Sequence, residues 1–240
     1  MKKIKIAHLY YDLMNLYGEN GNVRFLLKKL EDQGFDASIH FLTVDDKIDF
    51  DNYDFYYIGT GSEENKKIVL NDIMKYKENI KKAVSDGKFF LVTGNSLDLF
   101  GKNIIDQNLN EIDSLNVFDY VVKEEDFRIV GEQYFQTDLI PEKIIGFQNR
   151  NSTINSISNS LFSVIEGNGY NVNNNFEGIR LKNFFGTYLL GPLLVRNPFF
   201  TDYIIKEICN YLKTNYITPN KDASYKAYSE YIKNFYTKEN

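Results

Sequence analysis

Residues 89–101 have the sequence FFLVTGNSLDLFG, and this stretch decides the fold class. Its first five residues are apolar or β-branched, which predicts a strand buried on both faces. Gly94, Asn95 and Ser96 then predict a sharp turn into a helix, a layout that presents nucleophiles at sheet edges. The turn carries no cysteine. The stretch therefore predicts a parallel sheet and, at its edge, a strand-to-helix turn that carries no cysteine nucleophile.

Strands alternate with helices on the N-terminal side of this turn. Strands are predicted at 5–10, 37–41 and 55–58, and helices at 22–33 and 63–85. This βαβ series predicts an α/β fold, a doubly wound and mostly parallel sheet flanked by helices, of flavodoxin-like type. Ligands of such sheets bind beyond the carboxyl ends of the strands, where the loops 10–12, 59–62 and 94–96 fall.

The C-terminal half has a different pattern. Short strands are predicted at 117–122, 128–133, 144–147, 161–165, 178–181 and 185–189. They indicate a β-rich extension, two strands of which return to the main sheet. Asn197 and Pro198 predict a helix start. Residues 1–215 are expected to form one domain, and 216–240 a C-terminal amphipathic helix that packs on that domain or on a partner.

Composition limits the function. The 240 residues are 43% hydrophobic and 25% charged with a net charge of -5, so nucleic acid is not an expected partner. No apolar run predicts membrane insertion, and a cytoplasmic location is expected. The single cysteine, Cys209, lies on an apolar helical stripe and predicts packing. His8 and His40 are far apart in sequence, so neither a metal site nor a cofactor is expected.

Five segments together resemble a known family. They are 9–22 LYYDLMNLYGENGN, 59–64 GTGSEE, 145–149 IGFQN, 177–183 EGIRLKN and 186–194 GTYLLGPLL. These are similar to the motifs L-Y-P-D-L-x-N-L-Y-G-D-x-G-N, G-G-G-Q-D/E, V-G-F-E-N, E-G-V-R-Y-K-N and G-T-Y-L-H-G-P-L-L. The motifs belong to class I glutamine amidotransferases of the CobB/CobQ (cobyric acid synthase-like) type, and most closely to the GatD-type subunit of lipid II isoglutaminyl synthase. The resemblance spans most of the chain.

The resemblance implies that both catalytic groups are replaced. In the family the nucleophile turn has the pattern C-G-G-Y-Q-L-L-G, and alignment on Gly101 matches the cysteine to Gly94. The family histidine falls on Leu190. Amide hydrolysis by this route needs a thiolate and a base that protonates departing ammonia. Glycine and leucine supply neither group.

Two hydroxyls near the turn are alternative nucleophiles. Thr93 would need a one-residue insertion to reach the attacking position. Ser96 is expected in the first helical turn, facing away from that position. Neither histidine falls at the base position, so no residue is evident that would activate a hydroxyl.

Other pocket residues implied by the resemblance are retained. Backbone N–H groups near Thr60 and Gly61 and at Asn95 match the family's oxyanion hole. Arg128 matches an arginine expected to help bind glutamine, and an ordinary charged residue at a strand start is the alternative. These four residues are the candidate substrate pocket.

Three functions follow as hypotheses. The first is a catalytically inactive GatD-like subunit that acts by binding a Mur-ligase-like (MurT-type) partner in peptidoglycan amidation. The second is an active glutaminase subunit that supplies ammonia for amidation of the lipid II stem D-glutamate, using an unrecognised nucleophile. The third is a sensor that binds glutamine or a small anion in the inactive crevice.

Overall fold

The computed structural model describes residues 2–236. Its twelve strands are β1 (Lys3–Leu9), β2 (Asp36–Leu42), β3 (Phe55–Ile58), β4 (Phe89–Thr93), β5 (Asn103–Ile105), β6 (Glu111–Asp113), β7 (Val121–Thr137), β8 (Ile140–Ile154), β9 (Phe162–Glu166), β10 (Phe176–Glu177), β11 (Ile179–Leu181) and β12 (Phe184–Thr187). The α-helices are α1 (Asn20–Asp32), α2 (Glu63–Ile73), α3 (Lys77–Ser85), α4 (Leu193–Arg196), α5 (Pro198–Tyr211) and α6 (Ala223–Phe235). Short 3-10 helices span Leu16–Gly18, Met74–Tyr76 and Gly94–Phe100.

The main sheet has the order β11-β12-β4-β3-β1-β2 and is parallel except for β11. The predicted α/β class with a mostly parallel sheet is therefore confirmed. The return of two late strands, β11 and β12, to this sheet is confirmed as well. The carboxyl ends of β1, β3 and β4 lie at one edge, which brings the loops after them together.

The core lies on both faces of this sheet. Alternate residues of β4 show the division, because Phe90 and Val92 pack in one apolar cluster and Phe89 and Leu91 in the other. All four are at most 2% exposed. Burial on both faces explains the continuous apolar run that the sequence shows here.

The second sheet has the order β10-β9-β7-β5-β6, and β8 pairs with β7. The prediction of short strands at 117–122, 128–133 and 144–147 was wrong, because β7 and β8 form one long antiparallel hairpin. A register shift between Glu124 and Ile129 interrupts the pairing inside β7. Such a bulge breaks the alternation of apolar and polar residues on which the prediction depended.

The prediction of one helix over 63–85 was also wrong. A 3-10 turn at Met74–Tyr76 separates α2 from α3. The break places the Tyr76 hydroxyl 2.8 Å from the carbonyl oxygen of Asp46, to which it donates, and the Ile48 N–H donates back to that hydroxyl at 3.1 Å. Tertiary hydrogen bonding to the preceding loop therefore accompanies the interruption of the helical pattern.

Helix α6 packs on the rest of the chain. Tyr225 and Tyr228 are buried, and their ring centroids lie 5.1 and 5.4 Å from the ring of Phe199 in α5. Cys209 in α5 is fully buried in the same apolar cluster as β1 and α1, in agreement with its predicted packing role. Within residues 2–236, no helix combines the length and apolar character needed to cross a bilayer.

Candidate active site

Gly94 lies directly after β4 in a backbone conformation that favours glycine. Its φ angle is +64°, in the left-handed region. A Cβ atom built on Gly94 would lie 2.4 Å from Cβ of Thr60 and 2.5 Å from Cδ2 of Leu190. Non-bonded carbon atoms need about 3.5 Å or more. The position that the resemblance matches to the nucleophile therefore has no room for a side chain.

The side chain of Leu190 packs against this turn. Its backbone N–H donates to the Phe147 carbonyl at 2.8 Å, an isolated bridge that fixes the segment after β12 against β8. Its side chain is 1% exposed. The structure thus brings together Gly94 and Leu190, the two residues matched to the catalytic pair, although they lie far apart in sequence.

The hydroxyl groups beside the turn are committed to internal hydrogen bonds. Thr93 is fully buried, and its Oγ1 contacts the Glu19 carboxylate and, at 3.0 Å, the Tyr57 hydroxyl. Ser96 is also fully buried, and its Oγ donates to the carbonyl oxygens of Thr93 at 2.8 Å and Ile58 at 3.2 Å. Neither hydroxyl faces an accessible crevice.

Glu19 is a central buried carboxylate that the sequence analysis missed. It is fully buried, and it accepts hydrogen bonds from the Tyr57 hydroxyl at 2.6 Å and the Gly191 N–H at 3.2 Å, in addition to Thr93. Burial raises the pKa of Glu19, and these hydrogen bonds oppose the rise. The carboxyl group joins the end of β4 to the segment that carries Leu190. An acidic residue inside the first matched motif was the available signal.

Thr60, Gly61 and Asn95 form a closed hydrogen-bond cluster. The Gly61 N–H donates to Asn95 Oδ1 at 3.0 Å, and the Asn95 N–H donates to Thr60 Oγ1 at 3.2 Å. Thr60 Oγ1 donates to Asn95 Oδ1 at 2.8 Å, and Asn95 Nδ2 donates to the Gly61 carbonyl at 2.8 Å. We call these three residues, with Gly94 and Leu190, the floor of the site.

Arg128 lies at the rim and is paired with other residues. Its Nη1 contacts Glu63 Oε1 at 2.6 Å and its Nε donates to Asn149 Oδ1 at 2.8 Å. Burial alone would raise the pKa of Glu63, but the hydrogen bond and charge of Arg128 lower it overall. Asn149 in turn donates to the Tyr17 hydroxyl at 2.8 Å. The guanidinium group is thus engaged by a carboxylate and an amide.

Residues 10–18, which we call the mouth segment, pack against Thr60 and Gly61 of the floor. The Leu16 N–H donates to the Thr60 carbonyl at 3.0 Å, so the segment is anchored to the floor by its backbone. Tyr10 and Tyr17 have positive φ angles of 50° and 59°. Leu16 and Tyr17 nevertheless expose 42% and 48% of their surface. The mouth presents large apolar side chains on a backbone of unusual conformation.

A buried charge cluster supports the turn from behind. Asp98, in the 3-10 helix after Gly94, contacts Lys66 Nζ at 2.7 Å, and Glu124 contacts the same ammonium at 3.0 Å. The other oxygen of Asp98 accepts from Ser152 at 3.0 Å and Tyr188 at 2.8 Å. Burial alone would lower the pKa of Lys66, but the two carboxylates raise it overall. The cluster joins α2, the turn and the second sheet.

Comparisons with known proteins agree with this geometry. A CobB/CobQ-like glutamine amidotransferase domain model matches residues 5–198. A solved glutamine amidotransferase superposes with a TM-score of 0.57 at 12% identity, covering 84% of this chain and 97% of that one. The fold and its strand-to-helix turn thus define a class I glutamine amidotransferase-like protein. The chain belongs to the CobB/CobQ-like glutamine amidotransferase domain family.

Two curated relatives are similar over most of their length. The lipid II isoglutaminyl synthase (glutamine-hydrolyzing) subunit GatD of Staphylococcus aureus is 29% identical over 209 residues, covering 87% of this chain and 86% of the relative. The subunit GatD of Streptococcus pneumoniae is 29% identical over 198 residues, covering 81% and 76%. Both relatives are named as subunits, and their similarity to this chain agrees with its motif resemblance to GatD-type subunits.

Proposed function

We propose that this chain is a GatD-like subunit of a lipid II isoglutaminyl synthase that has lost glutamine hydrolysis and acts by binding a Mur-ligase-like (MurT-type) partner in peptidoglycan amidation. One observation carries the proposal: Cδ2 of Leu190 lies 2.5 Å from where a Cβ atom on Gly94 would stand. Hydrocarbon lies where the Cβ of a cysteine would stand, and leucine stands at the position matched to the base. Removing such groups typically costs several orders of magnitude in rate.

The alternative of an active glutaminase finds no nucleophile near the turn. A hydroxyl attacks a carboxamide only when a nearby base accepts its proton and the substrate can reach it. The Thr93 hydroxyl is hydrogen-bonded to the Glu19 carboxylate, but the residue is fully buried. The Ser96 hydroxyl donates to backbone carbonyl oxygens. Neither arrangement supports hydrolysis.

The binding role is supported by the mouth segment. Leu16, whose N–H donates to the Thr60 carbonyl, has 42% of its surface exposed. Exposed apolar side chains around a site are typical of surfaces that a partner covers. The relatives are subunits by name, which supports an assembly in which this face meets the ligase.

Two measurements test the proposal. The purified chain, alone and with a co-expressed Mur-ligase-like protein of the same genome, should release no glutamate from glutamine above the background of a blank. The tagged ligase should retain the chain as a stable complex. Glutamate release near an ordinary rate, about 1–10 per second, would refute the inactive state. Failure to form a complex would refute the binding role.

A matched pair of variants locates the binding face. Leu16→Lys should weaken the complex at least about tenfold, because a charge would enter a desolvated interface. Leu181→Lys is the control, since Leu181 is 38% exposed and pairs with the first residue of β12, at the opposite edge of the main sheet. The control should bind within about twofold of the native chain. Equal loss in both variants would place the interface elsewhere.

A further inference from the structure

The two backbone donors that match an oxyanion hole are already occupied by side chains of this chain. The Gly61 N–H is taken by Asn95 Oδ1 and the Asn95 N–H by Thr60 Oγ1. An anion or a carbonyl oxygen would have to displace both acceptors to use these donors. The donors are therefore present in the backbone but not available to a ligand.

The side chains that occupy the donors also satisfy each other. Thr60 Oγ1 donates to Asn95 Oδ1, while Asn95 Nδ2 donates to the Gly61 carbonyl, both at 2.8 Å. Thr60 and Asn95 are 3% and 8% exposed. Opening the cluster would leave several buried polar groups without partners, which is costly. Polar groups thus close the cluster on itself.

Thr60 and Asn95 stand where the family motifs G-G-G-Q and C-G-G-Y have glycine. Glycine would leave the two N–H groups uncovered. The same Thr60 also limits the turn sterically, because its Cβ lies 2.4 Å from a Cβ built on Gly94. One residue therefore blocks both the donor site and the nucleophile position.

We propose that Thr60 and Asn95 form an internal plug of the oxyanion site, so that neither glutamine nor a small anion binds there and reinstating the cysteine and histidine alone does not restore reactivity. The inference rests on the proposed loss of hydrolysis and identifies the residues that determine it. It also excludes the sensor function for this part of the crevice.

The test compares a double variant, Gly94→Cys/Leu190→His, with a quadruple variant that adds Thr60→Gly and Asn95→Gly. Each is incubated with 6-diazo-5-oxo-L-norleucine, a glutamine-shaped diazoketone. The diazomethyl carbon is protonated, the introduced thiolate forms a C–S bond to it, and N₂ leaves. Peptide mass spectrometry locates the adduct at residue 94.

The quadruple variant should react at least about tenfold faster than the double variant, because only it has free donors and room for the thiol. Labelling rates of the two variants that agree within about twofold would contradict the proposed plug. The same conclusion would follow if both variants fold and neither is labelled. A glutaminase assay of the native chain is the separate test of the proposed function. The two failures are thus distinguishable.

A second measurement needs no variant and so does not depend on how the quadruple variant folds. The native chain, labelled with ¹⁵N, is titrated with glutamine, glutamate or phosphate to about 5 mM, above a millimolar dissociation constant. The amide signals of Gly61 and Asn95 should not shift, and both amides should exchange slowly with solvent. A saturable shift of either signal overturns the plug.

Discussion

The floor and the mouth of the crevice are built in opposite ways. In the floor, Thr60 and Asn95 hydrogen-bond to each other, and the side chain of Leu190 packs against Gly94. In the mouth segment, large apolar side chains are exposed and Tyr10 and Tyr17 hold positive φ angles. The floor is thus occupied by its own side chains, whereas the mouth segment leaves Leu16 and Tyr17 42% and 48% exposed. The difference teaches that a tightly occupied interior and an exposed apolar surface can lie next to each other around one strand-to-helix turn.

The largest expected effect is a loss of stability when the buried ion pair between Asp98 and Lys66 is broken. Asp98→Ala removes the carboxylate that contacts Lys66, leaving a nearly fully buried ammonium with only Glu124. Breaking a buried pair in this way costs about 3–5 kcal/mol of unfolding free energy. Urea denaturation measures it, and Asp86→Ala, which breaks an exposed pair with Lys82, should cost below about 1 kcal/mol. Similar losses in both variants would show that the floor is not held by this cluster.

The next largest expected effect is a pH-dependent change in stability caused by His8, which lies next to the mouth segment. The residue is fully buried against the rings of Tyr11, Phe41 and Tyr57, and neither ring nitrogen has a hydrogen-bond partner within the described part of the chain. Burial lowers the pKa of His8 from 6.5 to about 4. Because the folded state favours the neutral ring, His8 contributes stability above pH 6.5 that is lost as the pH falls towards 4.

The unfolding free energy should fall by roughly 3 kcal/mol between pH 6.5 and 4 because of His8. The His8→Leu variant should not show this part of the pH dependence. The measurement is the unfolding free energy of both proteins at several pH values between 7 and 4. Glu177 acts in the opposite sense, because burial raises its pKa to about 7 and its contribution is lost as the pH rises. It is common to both proteins and cancels in their difference. A difference that does not change with pH would contradict the mechanism.

The smallest expected effect is a difference in stability between two glycine-to-alanine variants, which distinguishes steric crowding in the floor from backbone strain. Gly94 and Gly34 both have positive φ, +64° and +80°, but a Cβ on Gly34 would meet nothing within 4 Å. Alanine at Gly34 should cost roughly 1–2 kcal/mol from strain alone. Alanine at Gly94 should cost roughly 1–3 kcal/mol more because of overpacking.

Thermal or urea unfolding of the two alanine variants measures this excess. Thr60→Gly should remove much of it in a double-mutant cycle, because the Cβ of Thr60 is the nearest obstacle at 2.4 Å. Equal losses of unfolding free energy at Gly94 and Gly34 would mean that the floor accommodates a Cβ atom without overpacking. Steric crowding would then no longer distinguish the floor from the mouth segment.

Much of the fold was predictable from local patterns. The apolar runs of β1, β3 and β4 and the intervening helices required a parallel sheet, since a run buried on both faces needs helices on both sides. The long hairpin of β7 and β8 was not predictable, because a bulge obscures its period of two. The break in the helix at Met74–Tyr76 was missed for a similar reason, since hydrogen bonds to a distant loop accompany it.

The sequence alone determined which side chains are present at positions 94 and 190, because an absent thiol or imidazole is a matter of composition and motif spacing. Only the tertiary structure decided what stands in their place. Contacts between Thr60 and Asn95, or from Glu19 to Thr93 and Gly191, join residues that are 35 to 172 positions apart. Hydrogen bonds and steric exclusion act over a few ångströms in space, so chain folding had to bring these groups together before their occupation of the site could be recognised.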